Sequence, residues 1–431
     1  MEEHLTPGYL ELKSAQEVTK ANFHDLEPAS FWNSGKSPEI KRHRIHGYPA
    51  KFPAFITTKA LEFAKGEQLT VTRIADIFCG CGTVAYEARR EHIDFWGCDI
   101  NPVATLIART KSGTFCEERL DHYFSIIQRE YPAASVDPGL HDDAILRLDY
   151  WYSQTNKDKL ARLLNAINNS IPPTSRYRLF FHCAFSNILK ATSRWLTKSI
   201  KPQIDPNKEP SDPWSAFSDQ YEMMKVAFAQ CSVGASPTHI FTGNFLRKRS
   251  IPTDIDLLVT SPPYVTSYEY ADLHQLSSLW LGYSSDYRTL RKGSIGSSQH
   301  ALDFEREIAN LNTIGTEIIT QLAESERYIA KAAANYFLDM QAVAKRCHRM
   351  LTTTGVAVFV IGNTEYKGVR LNNAAHLAES LLTGGFSRVR VAKRKLSGKI
   401  LTPYRDAKGR FSASGEGRHV YGEEFVLIAS K

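Results

Sequence analysis

The sequence predicts an α/β protein: a sheet with helices on both faces, carrying an added helical insertion. Three stretches predict it. Residues 71–104, "VTRIADIFCGCGTVAYEARREHIDFWGCDINPVA", read as strand, glycine turn, helix, then a second strand ending in an acid. That is about the length of a parallel crossover unit. Residues 255–264, "IDLLVTSPPY", read as a buried strand that stops on a polar residue, two prolines and an aromatic ring. Residues 112–237 hold long stretches of helical apolar spacing, far more chain than a connection between neighbouring sheet elements needs.

Bulk properties fit a globular chain. Of its 431 residues, 42% are hydrophobic and 23% charged, in the ordinary range for folded domains. No run of apolar residues approaches the length that spans a bilayer. The start, "MEEHLTPGYLELKS", lacks the character of a secretory signal, and the seven cysteines are scattered apart from Cys79 and Cys81. Both features point to a reduced, cytoplasmic setting.

The elements follow in order. Residues 1–40 read as a polar lead-in. In the unit that follows, "RIADIF" is a strand with Asp76 and Phe78 near its end. Gly80 and Gly82 allow the backbone to approach a ligand where a Cβ would collide. Thr83 opens the next helix, whose first N–H groups have no partner within it. "IDFWGCDIN" ends in Asp99, Ile100 and Asn101, and an acid at a strand end is placed to accept from ribose hydroxyls. The later glycine of a dinucleotide fingerprint and the lysine of a P-loop are both absent. The ligand thus has a ribose and no pyrophosphate, which S-adenosylmethionine (SAM) satisfies. Cys79, Cys81 and Cys98 suit turn filling better than zinc, whose sites favour a wider spacing and a second pair, so no metal is expected.

Beyond the insertion, with its Pro-rich loop at 201–214, a helical run over about 302–350 packs on the sheet or forms a second lobe. "RTLRKGSIGSSQH" (288–300) reads as a basic loop. Residues 388–410, "RVRVAKRKLSGKILTPYRDAKGR", hold many cations and one acid, so Arg388, Arg390, Lys393, Arg394 and Lys395 are candidate phosphate contacts. "EEFVLIASK" closes the chain as a sheet strand.

Taken together, these motifs resemble the SAM-dependent amino-methyltransferases of DNA. "DIFCGCGT" (Asp76–Thr83) is similar to their motif I, and "TSPPY" (Thr260–Tyr264) to their catalytic motif IV in its Ser-Pro-Pro-Tyr form. "HGYPAKFPAFI" (His46–Ile56) resembles motif X, which implies cofactor contacts from Tyr48, Lys51, Phe52 and Pro53. "HIFTGNFL" (His239–Leu246) stands where motif III is expected; the family often has an acid there, and this chain has Asn244. The resemblance covers residues 40–110 and 238–431, so the catalytic domain is expected over 41–111 and 238–431, with 112–237 a helical subdomain suited to DNA recognition.

What the resemblance implies is a Rossmann-like methyltransferase sheet that binds SAM and double-stranded DNA and methylates the N4 amine of cytosine. A restriction–modification setting with a cognate endonuclease is implied as well. Ser261, Pro262, Pro263 and Tyr264 are the catalytic candidates. The Ser261 hydroxyl and the Pro262 carbonyl would accept the two hydrogens of the target amine. The prolines stiffen the tip, and Tyr264 would stack on a base taken out of the helix. Adenine-N6 and RNA guanine-N2 methylation stand as alternatives, as does a SAM-fold binding module without catalysis. The N6 enzymes usually carry Asp where this chain has Ser261.

Overall fold

The computed structural model describes residues 8–33, 38–49, 51–230, 234–265, 270–296, 304–366, 368–395, 404–405, 418–419 and 423–431. Its centre is an eight-stranded mixed sheet. In chain order the strands are β1 (Leu10–Leu12), β2 (Arg73–Asp76), β3 (Asp94–Asp99), β4 (Thr238–Thr242), β5 (Ile255–Thr260), β6 (Leu351–Gly362), β7 (Arg388–Arg394) and β8 (Glu424–Ser430). Across the sheet they run β1-β7-β8-β6-β5-β2-β3-β4. The five strands from β6 to β4 are mutually parallel, and β8 is antiparallel to both β6 and β7. The expected α/β class with helices on both faces is therefore present. The stretch read as a polar lead-in supplies the outermost strand: Leu10, Glu11 and Leu12 pair with Val391, Arg390 and Val389.

Alternation along β5 explains why the sheet is covered on both sides. Leu258 points into one core, with Ala75, Phe359 and the helices α10 (Thr313–Ser325), α11 (Arg327–Met350) and α12 (Asn373–Thr383). Leu257 and Val259 point into the other, with Ile74, Val358 and the helices α1 (Ala54–Gly66) and α2 (Thr83–Arg90). A strand buried on both faces reads as a continuous apolar run, as "IDLLV" does.

A third core is almost wholly helical. It joins α3 (Pro102–Ser112) to α4 (Glu117–Glu130), α5 (Asp142–Trp151), α6 (Gln154–Ser170), α7 (Arg176–Ile188), α8 (Pro213–Ala229) and the short α9 (Gln275–Trp280). Stacked rings fill it; Phe124 lies on Tyr221 at 4.0 Å between centroids and 8° between planes. This body also grips the segment before α1. The Gln220 amide donates to the Ile45 carbonyl at 2.8 Å, and Asn187 accepts from the Gly47 N–H at 2.8 Å. His46 meets the Ser186 hydroxyl at 2.9 Å. From the sheet side, His43 meets Glu87 of α2 at 2.6 Å, with both side chains buried. Tyr48 is thus held between the two bodies.

Candidate functional site

The strand order branches at β2, which is parallel to β3 on one side and to β5 on the other. Crevices outside the carboxyl ends of strands at such a switch point are where ligands bind in open α/β sheets. The expected motifs converge there. β2 leads into the glycine turn, β3 ends in Asp99, and β5 ends one residue before Ser261.

The glycine turn is built around Asp99. One carboxylate oxygen accepts from the Gly80 N–H at 2.8 Å, and the other from the Asn101 N–H at 2.8 Å. Two further lone pairs per carboxylate remain open to a ligand. Burial pushes the Asp99 carboxyl up to about 6, against the pull of these two backbone donors. Next to it, Asn101 caps α3 through its side-chain oxygen, at 3.0 Å from the Val103 N–H. Its amide nitrogen is buried with no hydrogen-bond partner among the described residues. The Thr83 hydroxyl is in the same position.

Both glycines sit at positive φ, Gly80 at 47° and Gly82 at 75°. At Gly82 a Cβ would lie 2.6 Å from the Cα of Ala108 in α3, so the turn and that helix touch backbone to backbone. Gly82→Ala should lower stability by about 2–4 kcal/mol, combining overpacking with the left-handed φ. Thermal unfolding checks this, and an unchanged midpoint would mean that α3 yields freely.

Tyr48 forms one wall. A Cβ on Gly80 would stand 3.6 Å from its ring, which also stacks on His274 at 5.0 Å and 22°. Burial first, and the Asp99 charge second, hold the Tyr48 phenol well above its usual range. The rest of the motif is structural in its contacts. Lys51 pairs with Glu39 at 2.6 Å and donates to the His43 carbonyl at 3.2 Å. Phe52 packs on the α1–α2 core, and Pro53 caps α1. Phe78 packs on the opposite core.

Asp76 ties two strand tips together. It accepts from the Thr260 hydroxyl of β5 at 2.6 Å and from the Phe78 N–H at 3.1 Å. Burial raises its carboxyl to about 7, opposed by those two donors and aided by the Asp99 charge. The next residue, Ser261, donates its hydroxyl hydrogen to the Val360 carbonyl of β6 at 2.9 Å. Tyr264 donates to Glu424 of β8 at 2.9 Å, and its ring lies against Gly362, where a Cβ would be 2.8 Å away. Burial, then Glu424, holds this phenol well above its usual range, while the neighbouring Ser261 hydroxyl pulls it down. Pro262 is buried between them.

Asn244 reaches the rim in a different way. Its oxygen caps the turn Phe245–Arg247, and its amide donates to the Gly293 carbonyl at 2.7 Å. A Cβ on Gly293 would also meet Ile100, at 3.5 Å, so the basic loop after α9 borders the crevice. Of that loop, residues 297–300 lie outside the described residues.

The candidate phosphate contacts lie elsewhere, on β7, and carboxylates match them. Arg390 is bidentate to Glu67 at 2.9 Å, Arg388 reaches Glu11 at 3.5 Å, Lys393 reaches Glu423 at 3.1 Å, and Arg394 pairs with Glu424. Lys395 is exposed, with its backbone N–H on Asn33. Four cations of this run therefore pair with acids from β1, the end of α1 and the start of β8. Residues 396–403 of the same run lie outside the described residues.

Sequence reading missed His274, Ser186, Asn187 and Gln220. Each acts on the crevice through contacts between segments distant in sequence, which no local pattern announces. Thr260 carried a signal, since it directly precedes the Ser-Pro-Pro-Tyr tip.

No protein-family model matches the chain. One curated protein does: over 362 residues the chain is 21% identical to the type II methyltransferase M.MvaI of Kocuria varians, covering 76% of this chain and 78% of that protein. The similarity is to a methyltransferase. Among solved structures, the rRNA methyltransferase aviRa from Streptomyces viridochromogenes superposes with a TM-score of 0.26 at 12% identity, covering 81% of this chain and 94% of that one. A superposition that loose carries no argument. Among the described residues no helix is long and apolar enough to cross a membrane.

Proposed function

We propose that the chain is a SAM-dependent DNA methyltransferase that acts on the N4 amine of cytosine. The observation that carries this reading is the state of Ser261. Its hydroxyl is tied to the Val360 carbonyl of β6 at 2.9 Å, so its oxygen is held at one place on the rim with lone pairs to offer. A fixed acceptor is what an exocyclic amine needs, because its own lone pair is delocalised into the ring until its hydrogens are held.

SAM fits the residues present. Asp99 has acceptor capacity left for two ribose hydroxyls, Asn101 has a buried amide without a partner among the described residues, and the Tyr48 ring stands over the glycine turn. When bound, SAM supplies an electrophilic methyl group. The chain does the rest: Asp99 and Tyr48 fix the nucleoside part, and Asp76 with Thr260 locks the tip of β5 against β2. Pro262 and Pro263 limit the tip's freedom, so the Ser261 oxygen and the Pro262 carbonyl hold one geometry. Tyr264, anchored by Glu424, is a rigid platform for a base taken out of the duplex.

Asp99 gives this reading a pH signature. Its folded carboxyl titrates near 6, above the ordinary 3.8, so between these values the folded state holds more protons than the unfolded one. Stability from this group therefore falls as pH rises through that window. Ribose hydroxyls favour the charged form, so SAM affinity should rise as pH passes 6. The gain in melting temperature on adding SAM should be larger at pH 7.5 than at pH 5. An equal gain at both would remove Asp99 from the binding role.

The direct test is incubation with labelled SAM and duplex DNA, followed by mass spectrometry of the nucleosides. N4-methylcytosine is expected. N6-methyladenine would overturn the choice of base, and label in RNA alone would overturn DNA as substrate.

A further inference from the structure

Six cations on the flank beside β4 stand in contrast to those of β7. Arg247 ends the turn after β4, Lys248 and Arg249 follow it, and Lys345, Arg346 and Arg349 lie in the last two turns of α11. The two segments are joined: the Arg346 guanidinium donates to the Lys248 carbonyl at 2.6 Å and stands 5.2 Å over the Phe245 ring. Lys248 sits 3.7 Å over Phe241, an aromatic ring that is 38% exposed on the edge strand. Arg247, Arg249, Lys345 and Arg349 are all exposed.

None of the six has a carboxylate partner among the described residues. The acids nearest in sequence are engaged elsewhere, Asp254 with Arg73 at 2.5 Å and Asp256 with the Thr72 N–H at 2.8 Å. The six are comparable to the formal excess of the whole chain, +7. Burial, and then the charge of Arg349, pull the Arg346 guanidinium below its ordinary value, as crowding of like charges requires. A helix C-terminus favours cations, which would account for Arg349 alone. It does not account for three cations off the helix. Chains do not gather unpaired like charges without cost, and a polyanion removes that cost.

The patch starts near the crevice rim and runs down the flank of the sheet toward the start of β6, where Arg349 stands two residues before Leu351. Asn244, on the rim, is three residues before Arg247. Lys248 and Arg346 both act electrostatically on Cys98, the residue before Asp99.

We propose that this surface is a phosphate-tracking site that holds duplex DNA beside the crevice, independent of base sequence. The proposal rests on DNA as the substrate class, and it assigns the backbone contacts to residues 247–249 and 345–349. Arg346, which is packed on Phe245, shapes the surface, and the exposed members touch phosphates.

The test uses the full chain with Arg247→Gln, Arg249→Gln and Arg349→Gln combined. A control variant, Lys20→Gln, Lys65→Gln and Lys201→Gln, removes the same charge from exposed sites elsewhere. Binding of a non-cognate duplex is measured by fluorescence anisotropy over a salt series. The expected result for the patch variant is at least about tenfold weaker binding, with the salt slope reduced by about one for each phosphate no longer neutralised. The control should keep the parent slope, and both variants should keep SAM binding by calorimetry, which certifies the fold. Equal slopes for the patch variant and the parent would overturn the proposal. So would an equal weakening in the control, or parent chain that binds structured RNA of equal length more tightly than duplex DNA. No methyl transfer is measured, so failure of the methylation reading and failure of the patch are separate results.

Discussion

Asp99→Ala should weaken SAM binding by roughly a hundredfold to ten-thousandfold, the effect of losing two hydrogen bonds to a charged acceptor at about 1.5–3 kcal/mol each. The side chain has a second task, since its oxygens hold the N–H groups of Gly80 and Asn101. Part of the loss therefore arises from a loosened glycine turn. Asp99→Asn separates the two contributions. It keeps one acceptor oxygen for the turn and removes the charge that titrates near 6. Its SAM affinity should be intermediate and should no longer rise between pH 5 and 7.5. Neither variant should unfold the protein, because burial of the charged carboxylate is itself unfavourable at neutral pH. Calorimetry across that pH range checks both statements. Parental affinity in Asp99→Ala would remove the ribose assignment altogether.

Much of the catalytic framework was legible because its signals are local. The turn "CGCGT" needs glycine at positive φ, and Gly80 and Gly82 both adopt it. "IDLLV" had to be a doubly buried strand, and β5 is one. The partners of the β7 cations were hidden for a physical reason. A sequence shows the sign of a charge and not its partner, and the partners of Arg388, Arg390 and Lys393 come from Glu11, Glu67 and Glu423, far along the chain. The same blindness hid β1, a strand of three residues whose pairing with β7 lies across nearly the whole sequence. It also hid the grip of Gln220 and Asn187 on residues 45–47. That grip gives the helical body a part in shaping the crevice: it holds the backbone just before Tyr48, so the position of one pocket wall depends on helices far from the sheet.

Ser261→Ala should keep SAM affinity and lower turnover by about 30- to 1000-fold. The magnitude follows from analogy with a lost oxyanion-hole donor, about 2–4 kcal/mol in the transition state. The variant loses one hydrogen bond to Val360, at a part-buried site where the carbonyl of β6 remains within its strand, so the fold should persist. What disappears from the crevice is a preorganised hydroxyl oxygen held by the Val360 carbonyl. The effect should fall on kcat far more than on KM for DNA, since the acceptor matters most as the amine takes on tetrahedral character. Tyr264→Phe gives the matching control. It keeps the ring and removes the bond to Glu424, so the platform loosens. Base binding should weaken and KM should rise more than kcat falls. If Ser261→Ala turns over at the parental rate, the hydroxyl is not an acceptor for the target amine, and the Pro262 carbonyl would have to serve alone. If both variants lose kcat equally with KM unchanged, the tip acts as one rigid unit and the separate roles of acceptor and platform fall together.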